Sequence, residues 1–317
     1  MTDVDVVVLR QKIHGMDASD YAEILREQLP NQEVALATTP AEEREYLRDA
    51  RVATGFSLSE EQLELAENLE LFACVYAGTG HLDRESFEEH DVAVTNASGV
   101  HAPNISEYVV GSMIAFARQF SRAQAQQRER EWRAYPTREL HGSTAAVVGL
   151  GSIGTAVVDR LDAFGMETVG VRYTPEKGGP TDEVYGFDEI HEAVKDAEYV
   201  VLACPLSDAT RGLVDDELFR TMPADAVLVN VARGPVVETD ALLSALRSNA
   251  IRGAALDVTD PEPLPEDHPL WGMGNVRITP HNSGHTPEYF DRCADILADN
   301  LERLETEPES ELVNQVL

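Results

Sequence analysis

The chain has 317 residues and carries 57 Asp and Glu against 25 Lys and Arg, a formal charge of −32 at neutral pH. Only Lys12, Lys177 and Lys195 among the cations are lysines; the rest are arginines. The charge excludes the basic footprint that nucleic-acid binding needs, and an apolar content of 43% in periodic segments excludes a disordered chain. So acidic a surface repels itself in dilute salt but is screened in molar salt, where the Debye length is about 3 Å. The composition therefore predicts a halophile's cytoplasm and a melting temperature that rises with KCl.

The opening Met1-Thr2-Asp3-Val4-Asp5 lacks the cationic start of a secretory signal. The longest uncharged apolar-rich stretch, residues 108–117, is shorter than the roughly 20 residues of a membrane span. A soluble cytoplasmic protein without a membrane partner is expected. Cys74, Cys204 and Cys293 have no metal-like or CxxC spacing, so no metal site is expected and the first two read as buried thiols.

In chain order, short β-branched runs alternate with helical patterns, the signature of βαβ units and parallel sheets. Strands are predicted at 4–9, 34–37, 52–54, 71–75 and 92–95, with a helix near 17–29 that Asp17 or Ser19 would cap. Gly78 and Gly80 mark a turn after the 71–75 strand, at the carboxyl edge where open α/β sheets bind ligands. Tyr76 is a candidate pocket wall there, as is Tyr289 in the tail. A long helix is predicted over 105–127, apolar at first and then rich in arginine. A second series of strands follows at 145–148, 168–171, 199–203, 226–229, 253–256 and 276–279, the six that a doubly wound dinucleotide domain requires. The tail over 287–305 is helical and has no sheet of its own. It is expected to dock on the N-terminal part, giving a discontinuous domain of 1–100 and 282–317 around an inserted domain of 101–281.

Residues 147–158 contain Gly149-x-Gly151-x-x-Gly154, between an apolar strand and a helix with Ile153, Val157 and Leu161 on one face. Gly149 suits the tight turn, Gly151 the approach of a pyrophosphate and Gly154 the packing of helix on strand. The helix start at Ser152 and Ile153 offers free N–H groups and a partial positive charge. The next strand ends at Arg172, where an acid would hold a ribose 2′-hydroxyl; an arginine instead forks onto a 2′-phosphate. With Tyr173 and Thr174 beside it, this predicts NADP(H) preferred over NAD(H). Three further polar residues follow strands of the second series: Arg233 in Asn230-Val-Ala-Arg-Gly-Pro-Val-Val237, Glu262 in the Asp260-Pro-Glu-Pro263 segment, and His281 in Thr279-Pro-His281.

With Pro205-Leu206, Thr210-Arg211-Gly212-Leu213, Val231-Ala-Arg-Gly234 and Pro269-Leu-Trp271, these motifs make the sequence resemble the D-isomer-specific 2-hydroxyacid dehydrogenase family over nearly its whole length. The resemblance implies two doubly wound parallel-sheet α/β domains, a Rossmann cofactor domain inserted in a flavodoxin-like substrate domain. It also implies a homodimer using the arginine-rich helix. It adds Cys204, Pro205, Thr210, Val231 and Ala232 to the cofactor site, and assigns Asp257 to the nicotinamide amide. The N–H groups of Ala77 and Gly78 are assigned to the substrate carboxylate.

The residue types suit reduction of a 2-oxo acid. Imidazole ordinarily titrates near neutrality, so His281 is the expected general acid. Glu262 would favour the charged ring and hold its orientation, while Arg233 would clamp the substrate carboxylate. His101 reads as a residue satisfying a loop carbonyl; His285 fits that role and a substrate contact equally. The expected activity is an NADP(H)-dependent D-2-hydroxyacid dehydrogenase. Alternatives are a glyoxylate/hydroxypyruvate reductase and a non-catalytic dinucleotide sensor resembling the family's corepressors. A 3-phosphoglycerate dehydrogenase is disfavoured by the short tail, and formate oxidation by Glu262 where those enzymes carry Gln.

Overall fold

Strands that read as unbroken apolar runs, such as Val-Val-Val at 6–8 and Tyr-Val-Val-Leu at 199–202, suit parallel sheets covered on both faces. The computed structural model describes residues 4–13, 15–306 and 311–317. The acidic start at residues 1–3 and the tail at 307–310 lie outside the described residues. The chain forms two compact units, Met1–Val100 with Thr286–Leu317, and His101–His285.

The first unit runs β1 (Val6–Val8), α1 (Ala18–Gln28), β2 (Val34–Leu36), α2 (Pro40–Tyr46), β3 (Val52–Gly55), α3 (Glu60–Leu65), β4 (Leu71–Cys74), α4 (Arg84–Glu89) and β5 (Ala93–Thr95). Its five parallel strands are ordered β2-β1-β3-β4-β5, the flavodoxin-like order. One face buries Tyr21, Leu25 and Leu71, the other Leu9, Phe72 and Phe87. Thr39 with Glu42, and Ser59 with Gln62, close capping boxes that fix the starts of α2 and α3. Asp17 stands at the N-cap of α1, but its carboxylate makes no cap bond and instead pairs with Lys12 at 3.0 Å.

The second unit runs α5 (Ala102–Ala117), α6 (Phe120–Glu129), β6 (Thr144–Val148), α7 (Ser152–Ala163), β7 (Glu167–Val171), β8 (Glu183–Tyr185), α8 (Ile190–Val194), β9 (Tyr199–Leu202), α9 (Asp216–Thr221), β10 (Val227–Asn230), α10 (Thr239–Ser248), β11 (Gly253–Leu256) and β12 (Val276–Ile278). The sheet order is β12-β11-β10-β9-β6-β7-β8, all parallel, with the chain reversing direction across the sheet between β6 and β9. That switch point is where an open α/β sheet presents a ligand crevice at its carboxyl edge.

Two expectations are corrected. The sheet has seven strands, because the edge strand β8 lacks the apolar run that marks the others: its residues are exposed or half-buried. The helix expected over 105–127 is two helices, broken by Gln119 in the left-handed region at φ 53°. The buried face of α5 ends at Ala117, while α6 buries Gln126 alone, so no packing requires one continuous axis.

The chain then returns to the first unit as α11 (Tyr289–Thr306), an amphipathic helix that buries Phe290, Cys293, Leu297 and Leu301. Phe290 stacks on Tyr21 of α1 with ring centroids 5.0 Å apart. The last residues run antiparallel along the edge of β5, with Val316 donating to the Val94 carbonyl at 2.8 Å. Among the described residues no helix is long and apolar enough to cross a membrane.

Candidate active site

The turn after β6 is shaped by what its glycines exclude. Gly149 has φ +102°, and a Cβ there would lie 2.6 Å from the Cys204 nitrogen. A Cβ on Gly154 would lie 1.8 Å from the Gly149 carbonyl oxygen, so α7 can approach its strand only with glycine at this position. Gly151 differs, since nothing lies within 4 Å of a Cβ built there. It is open space at the N-cap of α7, where no side chain caps the helix and no acid stands in the first turn. In so acidic a chain, these uncapped N–H groups at Ser152 and Ile153 fit a pyrophosphate.

Arg172 follows β7, half-buried, with Nη1 donating to the Gly178 carbonyl at 2.6 Å. No ion pair with a carboxylate holds it among the described residues, so its remaining donors are available to an anion. Tyr173 is 80% exposed, its ring 6.5 Å edge-on from Phe187, and Thr174 is half-buried at the start of the same loop. This group fits a 2′-phosphate in donor chemistry.

The other residues expected at the cofactor are mostly buried backbone supports. Cys204 is 3% exposed, and burial pushes its thiol up to about 11. Its backbone, packed on Gly149, is what faces the turn. The Thr210 hydroxyl accepts from Ser207 N and donates to the Pro205 carbonyl at 2.7 Å, tying its own loop together. Val231 and Ala232 are buried at 6% and 3%. Buried Asn230, which the sequence reading passed over, holds the turn before Arg233. Its Oδ1 accepts from Ala232 N, and its Nδ2 donates to the Arg233 carbonyl.

Arg233, Glu262 and His281 rise from loops after β10, β11 and β12, and two contacts gather those loops. A Cβ on Gly234 would lie 1.9 Å from the Thr259 carbonyl oxygen, so glycine lets the Arg233 loop lie against the Glu262 loop. Glu262 is fixed at both oxygens: Oε1 accepts from Thr259 N at 3.0 Å, and Oε2 lies 3.0 Å from His281 Nδ1. The imidazole is half exposed and turns its Nε2 away from the carboxylate, free for another partner. Arg233 is exposed, with Nη1 on the Ala232 carbonyl at 2.6 Å.

Asp257, expected to orient a nicotinamide amide, is bonded throughout to the loop of His281. It is 2% exposed, and both carboxylate oxygens are used inside the protein. Oδ1 accepts from Thr279 Oγ1 at 2.5 Å and Asn282 N at 2.8 Å; Oδ2 accepts from Ser283 N at 2.9 Å and Ser283 Oγ at 2.5 Å. Four donors fill the acceptor sites of a carboxylate, and all four belong to the loop that carries His281. The Asp257 carbonyl also accepts from His281 N at 2.8 Å.

A stripe on α5 braces that loop from the other side. His101 Nδ1 donates to the Gly284 carbonyl at 3.0 Å, Asn104 Nδ2 to the Ser283 carbonyl at 2.8 Å, and Tyr108 Oη to Thr279 Oγ1 at 2.8 Å. The spacings of three and four place these residues on one helix face. A polar stripe on an otherwise apolar helix is the sequence signal that reveals them. His285 is exposed, and its backbone N–H donates to the Asn282 carbonyl.

In the first unit the turn after β4 leaves Ala77 and Gly78 exposed. The Tyr76 and Ala77 carbonyls accept from Ala97 N and Asn96 Nδ2, while neither the Ala77 nor the Gly78 N–H has an acceptor among the described residues. Tyr76 is half-buried with its ring edge-on to Phe56 at 5.0 Å, and Phe56 stacks on His81 at 4.0 Å. Tyr289 is no pocket wall: it is 2% exposed and donates to the Val75 carbonyl from within the core.

Residues 110–283 match the family model described as D-isomer specific 2-hydroxyacid dehydrogenase, NAD binding domain. The chain is 34% identical over 284 residues to a D-3-phosphoglycerate dehydrogenase of Methanocaldococcus jannaschii, covering 88% of this chain but 54% of that protein. It is also 34% identical over 250 residues to a glyoxylate reductase of Thermofilum pendens, covering 76% of this chain and 73% of the relative. A solved D-isomer specific 2-hydroxyacid dehydrogenase from Xanthobacter autotrophicus, in complex with NADPH and MES, superposes with a TM-score of 0.79 at 28% identity, covering 100% of this chain and 98% of that one.

Proposed function

The chain belongs to the D-isomer-specific 2-hydroxyacid dehydrogenase family, and on that premise we propose that it is an NADP(H)-dependent reductase of small 2-oxo acids, reversible as a D-2-hydroxyacid dehydrogenase. The observation that carries this reading is the 3.0 Å bond between His281 and Glu262, on loops gathered beside Arg233. NADPH, when bound, supplies the hydride. Arg233 binds the substrate carboxylate and draws electron density from the 2-oxo carbon. With Nδ1 committed to Glu262, His281 gives its proton from Nε2 to the oxygen that becomes the hydroxyl, and takes it back in the reverse direction. Of the first unit's groups, the exposed N–H groups of Ala77 and Gly78, with Tyr76 beside them, are the ones suited to a carboxylate. The cofactor's pyrophosphate belongs on Gly151, Ser152 and Ile153 between Gly149 and Gly154. The backbone of Cys204, Pro205, Thr210, Val231 and Ala232 lines its path.

The test is the loss of reduced-nicotinamide absorbance with a panel of 2-oxo acids in molar KCl, followed by chiral analysis of the product. Turnover confined to glyoxylate and hydroxypyruvate would select the alternative suggested by the relative from Thermofilum pendens. Tight NADPH binding with no turnover on any acid would instead favour a dinucleotide sensor.

The preference for NADPH rests on Arg172 and gains support from the NADPH-bound relative. Arg172→Glu should lower kcat/KM for NADPH about 10–100-fold, the worth of one or two charged hydrogen bonds, and spare NADH. Equal efficiency of the native enzyme with both cofactors would remove this role.

We assign the enzyme to a cytoplasm of molar salt and to a homodimer contacting through α5 and α6, where Phe120 of α6 and Trp132 of the stretch after it stand exposed. A light-scattering mass of twice the chain is the expected result. Both substrates are anions approaching a chain of charge −32, so added salt removes long-range repulsion and leaves the short contacts intact. KM for NADPH should therefore fall as KCl rises; a rise would mean that attraction, not repulsion, governs the approach.

A further inference from the structure

The exposed N–H groups of Ala77 and Gly78 are aimed by bonds made to the carbonyls beside them. A trans peptide is planar, so its C=O and N–H point in opposite directions and turn together. The Tyr76 carbonyl shares its plane with the Ala77 N–H, and the Ala77 carbonyl shares its plane with the Gly78 N–H. Ala97 N donates to the Tyr76 carbonyl at 3.2 Å, and Asn96 Nδ2 donates to the Ala77 carbonyl at 2.8 Å. The second bond matters more. Nothing lies within 4 Å of a Cβ built on Gly78, and glycine itself has none, so sterics alone do not stop the 77–78 plane from rotating.

Asn96 is in turn held by its own loop and by the stretch after α11. Its Oδ1 accepts from Ser98 N at 3.0 Å, its backbone N donates to the Asn314 carbonyl at 3.2 Å, and its carbonyl accepts from Asn314 Nδ2 at 3.2 Å. Asn314 Nδ2 also donates to the Ser98 carbonyl at 2.8 Å, so one side chain straddles the loop after β5. Asn314 stands at φ 57°, a left-handed conformation that asparagine tolerates better than most residues. The residue before it is seated by Asn300, which is 0% exposed on the buried face of α11. Asn300 Oδ1 accepts from Val313 N at 2.7 Å, and its Nδ2 donates to the Val313 carbonyl at 3.1 Å. Both ends of a buried amide are thus spent on one backbone residue, as burial of polar groups demands.

We propose that Asn96 is a positioning residue for the 2-oxo acid: it aims the Gly78 N–H at the substrate carboxylate, and Asn314 holds it in that role. The inference rests on the reading of Ala77 and Gly78 as donors to that carboxylate. The line of bonds runs from Asn300 through Val313 and Asn314 to Asn96 and the 77–78 peptide, all within the first unit. A donor aimed before the carboxylate arrives saves the ordering cost that a loose turn would meet on binding. The stretch after α11 thereby takes part in substrate affinity.

The experiment combines steady-state kinetics at saturating NADPH in molar KCl with 15N–1H spectra of the full chain. Asn96→Ala should raise KM for the 2-oxo acid about fivefold, the worth of one hydrogen bond, and leave kcat within about twofold. A carboxylate contact made equally in the ground and transition states shows in KM alone. Asn314→Gly is the second variant: glycine keeps the left-handed backbone and adds no charge, so only the bonds to the Asn96 and Ser98 carbonyls are lost. It should raise KM at least about twofold, and both variants should displace the Ala77 and Gly78 amide resonances. A melting temperature that falls in both variants with KM and those resonances unmoved would make Asn96 merely structural and overturn the proposal. A KM raised by Asn96→Ala but not by Asn314→Gly would overturn the part given to Asn314. The underlying reading has its own check: oxamate, an unreactive analogue of a 2-oxo acid, should displace the same two resonances in the native chain with NADPH bound. No displacement there would overturn that reading, and the proposal with it.

Discussion

His281→Ala should lower kcat for 2-oxo acid reduction about 10²–10⁴-fold, the usual contribution of a positioned proton donor. The imidazole is half exposed and among the described residues its side chain bonds Glu262 alone, so its removal strands no buried group. The melting temperature should stay close to the native value, because exposed substitutions of this kind change stability by about 0.5 kcal/mol or less. The dissociation constant for NADPH should also hold, since the Gly149–Gly154 turn and Arg172 lie on other loops. Glu262→Gln should act in the same direction on kcat: the amide keeps the shape but can neither balance a charged ring nor fix Nδ1–H as the donor. Retention of activity within about tenfold by His281→Ala would leave less than the smallest effect expected of a general acid, and would move the proton to another group.

The parts of this site that were legible in the sequence are those encoded locally. Gly149, Gly151 and Gly154 follow one strand and open one helix, so their spacing alone specifies a turn. The strand runs are β-branched and unbroken because both faces of each sheet are covered, and Arg233, Glu262 and His281 each stand a few residues past such a run. What stayed hidden depends on distant segments or on weak signals. Strand β8 has no apolar run, being a short edge strand. The break at Gln119 follows from where α5 runs out of something to pack against. The stripe of His101, Asn104 and Tyr108 is plain in spacing, but the loop it holds is some 170 residues away in the chain.

Asp257 makes contacts that its place in the sequence does not announce, and its replacement carries the second large effect. His281 sits at φ 51°, a left-handed conformation that a non-glycine residue holds only at a cost of about 1–3 kcal/mol when its surroundings impose it. Asp257 imposes it, by accepting from Thr279, Asn282 and both donors of Ser283, and from His281 N through its own carbonyl. Asp257→Ala strands those side-chain-directed donors in a dry site, at about 1–3 kcal/mol for each that water cannot reach, and should lower the melting temperature clearly. Asp257→Asn keeps the shape, yet an amide accepts on its oxygen alone, so one pair of donors meets an N–H group. The loop then shifts, and a displacement of about 1 Å at the proton donor is enough to cost roughly 10²-fold in kcat. For a residue that positions His281, kcat and thermal stability should fall together in both variants while the NADPH dissociation constant holds. For a residue that binds the nicotinamide amide, the dissociation constant should rise in Asp257→Asn with stability intact. The four filled acceptor sites favour the first outcome, and make Asp257 the anchor through which β11 sets the position of His281.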